Sequence, residues 1–372
     1  MQKLQVKIFN NSITLNTTNG MKFALRCKPG QKIKKTGKKV AIIGSGPAGL
    51  AAAGYLVCEG HEVHVYERLP EPGGMLMFAI PSYRIPKENI RKGIRELIDL
   101  GVKFHLETKI IGEPEPCTEG DELIKRKIKF EELLNDYDAI LITTGTWSSR
   151  RIGIPGEKLK GVYSALDYLF KIRAYELSYL PKEAVHPTGK KVAVIGAGLA
   201  AIDASEEALR QGAKEVCILY RRTINEAPAG EYEIKRILKK GVKFIELVSP
   251  IEFVGTEKLK YIKLIRMKLG APDESGRPRP EPVPKSEFIM EFDTVLLAVG
   301  EIPTPPFTRE YSGIKIGKNG RIQVDEKYRT TRKGVFAAGD VVTGPSRVGL
   351  AMKSGINAAI AIDEYLNGKL KW

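Results

Sequence analysis

The chain has 372 residues, 42% of them apolar and 28% charged. That is the make-up of a folded globular protein, too long for a single core, so a disordered or fibrous chain is excluded and two domains are favoured. Sixty lysines and arginines against 44 acidic residues leave a formal net charge of +16, which attracts anionic partners without choosing among nucleic acid, membrane surface and acidic protein.

No RNP-type aromatic signature or helix-turn-helix pattern favours nucleic acid. The opening MQKLQVKIFNNS has no apolar stretch of the kind a signal peptide carries, and residues 1–36 show no clear period, so this segment has no assignment. Cys27, Cys58, Cys117 and Cys217 lie far apart with no CxxC pair, which offers neither a local redox dithiol nor an iron–sulfur ligand run. Cys58 and Cys217 stand in apolar runs and read as core residues. Reduced thiols and a cytoplasmic setting are the expectation. The abundance of Lys and Glu with few Gln fits a heat-adapted source.

From Lys38 the pattern becomes regular. KKVAIIGSGPAGLAAA at 38–53 reads as a strand, a glycine turn and an alanine-rich helix, and HEVHVYE at 61–67 as the next strand. The apolar run from Val40 to Val57 approaches the length of a membrane span, but glycines and a proline interrupt it at motif spacing. In the turn, Gly44 permits the tight bend, Gly46 lets the backbone approach a pyrophosphate, and Gly49 lets helix and strand pack closely. Pro47 and Ala48 open the helix whose N-terminus faces the phosphates. Glu67 ends the second strand, where a carboxylate can accept both ribose hydroxyls.

Further on, EPGGML at 71–76 follows the first unit, and DAILITTG at 138–145 supplies another strand. RRIGIPGE at 150–157 reads as a linker. Then the plan repeats: KKVAVIGAGLAAIDAS at 190–205 returns the first motif, GVKF at 101 returns at 241, and DAILITTG returns as DTVLLAVG at 293–300. Three pieces in the same order mark a duplicated domain. The second turn, Gly196-Ala197-Gly198-Leu199-Ala200-Ala201, is the GxGxxA variant. Aligning EVHVYER on EVCILYR puts Tyr220 in the place of Glu67 and Arg221 in that of Arg68. A carboxylate there would repel a 2′-phosphate and a guanidinium can bind one, so Arg221 and Arg222 are expected to hold the 2′-phosphate of NADPH, with NADH as the other possibility. Residues Gly270 to Lys285 read as a long surface loop. GVFAAGDVV at 334–342 is a strand ending in Gly339-Asp340, and an apolar helix follows to about Leu366.

These residues carry a resemblance. GSGPAGL, EPGGML, AIPSYRIPK at 79–87, TTG, IPGE, YRRTINEAPA and AAGD together resemble the glutamate synthase small-subunit family of NADPH-dependent flavoproteins. The resemblance implies an α/β fold of two Rossmann-like domains of pyridine nucleotide-disulfide oxidoreductase type: an FAD-binding domain over 37–150 and 301–372, with an NAD(P)H-binding domain over 151–300 inserted into it. It implies FAD against Gly44, Gly46, Pro47, Ala48, Gly49, Glu67, Arg68, Gly74, Met75, Gly145, Gly339 and Asp340, and NADPH against Gly196, Gly198, Leu199, Arg221 and Arg222.

The family often has Asn-Thr after the second turn, where this chain has Leu199-Ala200. Family members usually carry a preceding cysteine-rich iron–sulfur domain, whereas residues 1–36 hold Cys27 alone, so the electron partner is expected on another subunit or soluble carrier. Hydride transfer from nicotinamide to flavin needs alignment and exclusion of water, not a protein acid or base, so no catalytic side chain and no metal ligand is assigned. The rival expectations are an FAD subunit fed by a substrate-oxidising partner and a non-catalytic flavin-bearing scaffold.

Overall fold

The structure, a computed structural model, describes residues 5–8, 11–14, 20–273 and 276–372. Its contacts divide the chain into two units, Met1–Ser148 with Glu301–Trp372, and Ser149–Gly300. In chain order the first unit supplies β1 (Lys39–Ile43), α1 (Pro47–Cys58), β2 (Glu62–Tyr66), α2 (Lys87–Asp99), β3 (Lys103–His105) and β4 (Ala139–Ile142). The second supplies β5 (Val162–Ser164), α3 (Ala165–Glu176), β6 (Lys191–Ile195), α4 (Leu199–Arg210), β7 (Glu215–Leu219), β8 (Lys243–Ile245), β9 (Val248–Gly255), β10 (Leu259–Pro272), β11 (Pro278–Pro282), β12 (Phe288–Glu291) and β13 (Thr294–Leu297). The chain then returns to the first unit with β14 (Val335–Ala337) and α5 (Val348–Leu366).

Each unit is built on a five-stranded parallel sheet, ordered β14-β4-β1-β2-β3 in the first and β5-β13-β6-β7-β8 in the second. The repeated motifs occupy the same places: β1 and β6 are the central strands, flanked by β2 and β7 on one side and β4 and β13 on the other. A parallel sheet is covered on both faces, so its strands are apolar runs without alternation. Val40, Ala41, Ile42, Val192, Ala193 and Val194 are all fully buried.

Of the segment without a sequence assignment, residues 20–36 prove to be packed into the first unit. Residues 21–36 run as an irregular strap over α1 and α2, and three glycines receive its main chain. A Cβ at Gly54 would stand 2.2 Å from the Phe23 carbonyl oxygen, one at Gly93 2.1 Å from that of Met21, and one at Gly60 2.0 Å from that of Lys34. Phe23 is buried under the strap, the Met21 amide donates to the Asn89 carbonyl at 2.9 Å, and that of Thr36 to Gly60 at 3.1 Å.

Cys27 is joined to Cys58, at the end of α1, by a disulfide. This corrects the expectation of four reduced, scattered thiols: spacing along the chain does not measure distance between an unpatterned strap and a helix end. A disulfide removes the support that reduced thiols gave to a cytoplasmic setting. It agrees with a heat-adapted composition, since intracellular proteins of hyperthermophiles are themselves disulfide-rich.

Two further expectations change. The supposed surface loop at 270–285 is strand over half its length, β10 running on to Pro272 and pairing antiparallel with β11 through Met267–Pro282 and Leu269–Pro280. Proline is tolerated there because β11 is an edge strand whose outer side needs no amide donors. The supposed linker at 150–157 is packed into the second unit. A Cβ at Gly156 would stand 1.9 Å from the Phe253 carbonyl oxygen, and the Glu157 carboxylate caps the amides of Ile152 and Gly153. Among the described residues no helix is long and apolar enough to cross a membrane.

Candidate functional site: two dinucleotide turns

The two turns solve the same steric problem with the same residues. Gly44 has φ +99° and Gly196 φ +123°, and a Cβ on either would run into the backbone of the neighbouring strand's end, 2.7 Å from the Thr143 carbonyl oxygen and 2.3 Å from that of Ala298. Only glycine fits there. Gly44 N donates to the Tyr66 carbonyl at 2.8 Å and Gly196 N to that of Leu219 at 3.1 Å, which fixes each turn to the strand beside it.

Gly46 and Gly198 differ from these in kind. Both cap their helices in extended conformation, with φ −66° and −85°, and a Cβ on either would meet no atom of the described residues within 4 Å. Nothing in the packing of the described residues calls for glycine at these two positions. A ligand pressed against the backbone would, and the phosphates of a dinucleotide at a helix N-terminus are such a ligand. The third position separates the copies: a Cβ at Gly49 would stand 2.0 Å from the Gly44 carbonyl oxygen, whereas α4 carries Ala201, fully buried, in its place.

Around the first turn the structure assembles residues from distant parts of the chain. Gly73 N donates to Ser45 O and Oγ, each at 3.1 Å. Gly74, at φ +53°, lies so close that its Cβ would be 3.0 Å from the Cα of Gly46, and Met75 opens the short helix that follows. Arg91 holds this loop by two bonds to Glu71, at 2.8 and 2.7 Å. Gly339, at φ +74°, approaches Ala48, as does Gly355 of α5, whose Cβ would be 2.1 Å from the Ala48 carbonyl oxygen. Asp340 accepts from Ser346 Oγ at 2.5 Å, and burial raises its pKa above the ordinary carboxylate value. Gly145, at φ +72°, has only Trp147 near its Cβ position. Beside it, Thr144 Oγ1 is buried without a hydrogen-bond partner, the kind of atom a bound polar group satisfies.

Glu67 is buried and already engaged by the protein itself. Its carboxylate accepts from Ser45 N at 3.0 Å, Ser45 Oγ at 2.5 Å and Leu69 N at 2.9 Å. A carboxylate has about four acceptor sites, so one remains for a ligand in place of two. Arg68 lies over the Trp147 ring at 4.6 Å, donates to the Glu119 carbonyl at 2.6 Å and pairs with Asp121 at 3.2 Å. Burial pushes its guanidinium below its usual pKa, opposed by the charges of Glu67 and Asp121.

At the second turn, Leu199 begins α4 and is 44% exposed. Tyr220 turns inward and donates to the Glu226 carbonyl at 3.0 Å. Arg221 is exposed at the strand end. Arg222 does not join it: the side chain is buried, bonded to the Pro278 carbonyl at 2.7 Å and to Asp273 at 2.6 Å. The pair expected to grip one phosphate together is thus split between solvent and the β10–β11 arm, because a residue 51 positions away in the chain claims one of them.

The residues of both turns therefore fit a dinucleotide each, and comparison with known proteins agrees. The model of the pyridine nucleotide-disulphide oxidoreductase family matches residues 38–355. The chain belongs to this family. The glutamate synthase [NADPH] small chain of Halomonas elongata is 36% identical over 352 residues, 93% of this chain and 72% of that one. The β subunit of the NADP(+)-dependent formate dehydrogenase of Moorella thermoacetica is 40% identical over 333 residues, but this chain spans only 44% of its length. Among solved structures, Mycobacterium tuberculosis FprA in complex with NADPH superposes with a TM-score of 0.70 at 20% identity, over 90% of this chain and 87% of the other, which shows the shared fold. The protein is a flavin-dependent NAD(P)H oxidoreductase of this family, similar to the glutamate synthase small chains.

Several residues of this oxidoreductase's first site were not singled out by sequence. Lys87, the last residue of AIPSYRIPK, is buried and donates to the carbonyls of Leu76, at 2.6 Å, and Ile80, which pins the Met75–Phe78 helix. Ser354 Oγ accepts from Gly339 N at 2.9 Å. Trp147 and the carbonyl of Glu119 enclose Arg68. A buried lysine inside a motif is a readable signal. Ser354 and Glu119 are placed by tertiary packing and leave none.

Proposed function

We propose that the chain oxidises NADPH through bound FAD and delivers the electrons to a partner subunit or small soluble carrier. The observation that carries this is the doubled turn with unlike ends: the strand after the first turn ends in a buried carboxylate, Glu67, and the strand after the second in an exposed guanidinium, Arg221. A carboxylate suits a ribose with free hydroxyls and a guanidinium suits one carrying a phosphate. When bound, the flavin accepts a hydride from the nicotinamide and passes electrons on.

The chain's own residues bind and orient. Gly46 and Gly198 open the backbone to the phosphates, and the N-termini of α1 and α4 face them with a partial positive charge. Glu67 holds its ribose with its remaining acceptor site. Asp340, more readily protonated than an ordinary aspartate, lies beside Gly339 where α5 closes on Ala48. Arg221 supplies the charge for a 2′-phosphate. The net charge of +16 favours an acidic partner, and the relatives named as a small chain and a β subunit support a partner subunit. A second reading draws on the relative named for an NADP(+)-dependent formate dehydrogenase: the same sites would then run toward NADPH, fed by a substrate-oxidising partner.

Anaerobic addition of NADPH to the flavin-loaded protein tests the proposal. Bleaching of the flavin absorbance at lower NADPH than NADH is expected, and an absorbance that neither nucleotide changes would overturn it.

A further inference from the structure

Of the two arginines that follow β7, the inward one already holds an anion. Arg222 is 2% exposed. Its Nε donates to the carbonyl of Pro278 at 2.7 Å and its Nη2 to Oδ2 of Asp273 at 2.6 Å. Both partners belong to the β10–β11 arm. Asp273 itself opens the turn of that arm, its amide donating to the Arg277 carbonyl at 2.8 Å and its carbonyl accepting from Gly276 at 2.8 Å. The place is the nucleotide end of the second unit, because β7 lies beside β6 and the glycine turn is bonded directly to Leu219, the last residue of β7. A carboxylate offers a guanidinium much the same oxygens as a phosphate does.

The geometry points to Asp273 as an internal competitor for the 2′-phosphate of NADPH: it occupies Arg222 in the nucleotide-free chain, yields it when a 2′-phosphate binds, and so sets how strongly the protein prefers NADPH to NADH. This rests on the reading that the second turn takes NADPH. While Asp273 is in place, the charge of Arg222 is matched and a further anion gains little from it. When the carboxylate leaves, the bond to Pro278 keeps the guanidinium anchored to β11 and its Nη2 becomes available to the phosphate. A nucleotide without the 2′-phosphate has nothing to exchange for Asp273 and is indifferent to it. Of the two side chains Asp273 is the one nearer solvent, 30% exposed against 3% for Arg222.

Calorimetric titration of the full chain with adenosine 2′,5′-bisphosphate and with 5′-AMP tests the inference on the wild type, Asp273→Asn and Asp273→Ala. Removing the competing charge-assisted bond should tighten binding of the bisphosphate by about tenfold or more and leave 5′-AMP unchanged. Hydrogen exchange on the wild type supplies a readout that needs no variant: saturating bisphosphate, but not 5′-AMP, should lower protection of the Asp273 and Gly276 amides as the turn is released. Bisphosphate affinity unchanged or weakened in both variants, or amides that keep their protection in the wild type, would make the Arg222–Asp273 pair a fixed brace and overturn the inference. Failure of the wild type and both variants to bind either adenosine ligand would instead overturn the placement of NADPH, and this inference with it.

Discussion

The contrast between Gly46 and Gly49 separates what the first turn needs for folding from what it needs for its ligand. At Gly49 an added methyl would lie 2.0 Å from the Gly44 carbonyl oxygen and 2.8 Å from Thr143 Oγ1. Contacts to real Cβ atoms essentially never fall below 3.0 Å, so α1 must move off its own turn by roughly 1 Å, and such overpacking costs about 1–3 kcal/mol. Alanine in place of glycine inside a helix recovers about 0.5–1 kcal/mol of this. With about 2–4 °C lost per kcal/mol in a domain of this size, Gly49→Ala should lower the melting temperature of the flavin-free protein by several degrees.

Gly46→Ala meets no atom of the described residues within 4 Å and has an ordinary φ of −66°, so it should leave stability close to the wild type's, the gain of about 0.4–1 kcal/mol from a stiffer unfolded chain offsetting the loss of glycine's preference at an N-cap. The same methyl stands where the pyrophosphate must approach the backbone. Each hydrogen bond to a charged group that it prevents is worth about 1.5–3 kcal/mol, or roughly ten- to a hundredfold in affinity. Thermal unfolding without flavin and titration with FAD, followed by quenching of its fluorescence, give the two quantities. Gly198→Ala, equally open, should spare both and weaken NADPH alone. A Gly46→Ala protein that binds FAD as the wild type does would refute the assignment of the open glycine to the ligand.

Arg221→Ala should raise the NADPH concentration needed to bleach the flavin by about ten- to a hundredfold, while the NADH requirement stays put. Titration with an aromatic disulfide reagent should find one reactive thiol in the native protein, the exposed Cys117, with Cys217 withheld until unfolding because burial pushes its pKa up to about 12. Cys27→Ser should destabilise the protein by about 4 kcal/mol by opening the loop between residues 31 apart in the chain, read from the chemical denaturation midpoint. For Asp340 the folded-state pKa is raised, so the folded chain binds the proton more tightly than the unfolded one. Stability should therefore rise as pH falls from that raised value toward the ordinary aspartate value of 3.8, and Asp340→Asn should abolish that rise in denaturation curves while weakening FAD.

The parts of this protein legible in its sequence are those where the backbone itself dictates the residue. Gly44 and Gly196 must take φ above zero against a neighbouring carbonyl, and fully buried parallel strands must be apolar throughout, so both turns and both sheets can be read from the repeat. What could not be read depends on contacts between segments distant in the chain. The strap at 21–36 has no period because it docks through its carbonyls, and the signal lies in Gly54, Gly60 and Gly93, which look unremarkable on their own. Cys27 meets Cys58 for the same reason. In the sequence Arg222 belongs with Arg221 until Asp273 is placed beside it, and the prolines of β11 imitate a loop because an edge strand tolerates them. Glu67 stands at a strand end, as its place in the motif predicts, but its burial and its bonds to Ser45 and Leu69 come from the fold of the turn.

The strap also fixes where this molecule can be cut. The repeat begins at Lys38, and a fragment started there would look complete by every internal motif. It would lack the lid over three trenches whose floors are Gly54, Gly60 and Gly93, leave the pocket of Phe23 open to water, and present Cys58 as an unpaired thiol at the end of the helix that carries the first turn. Such a fragment should be sticky and oxidation-prone, and fusions to this domain are better joined ahead of Gly20 than at the start of the repeat.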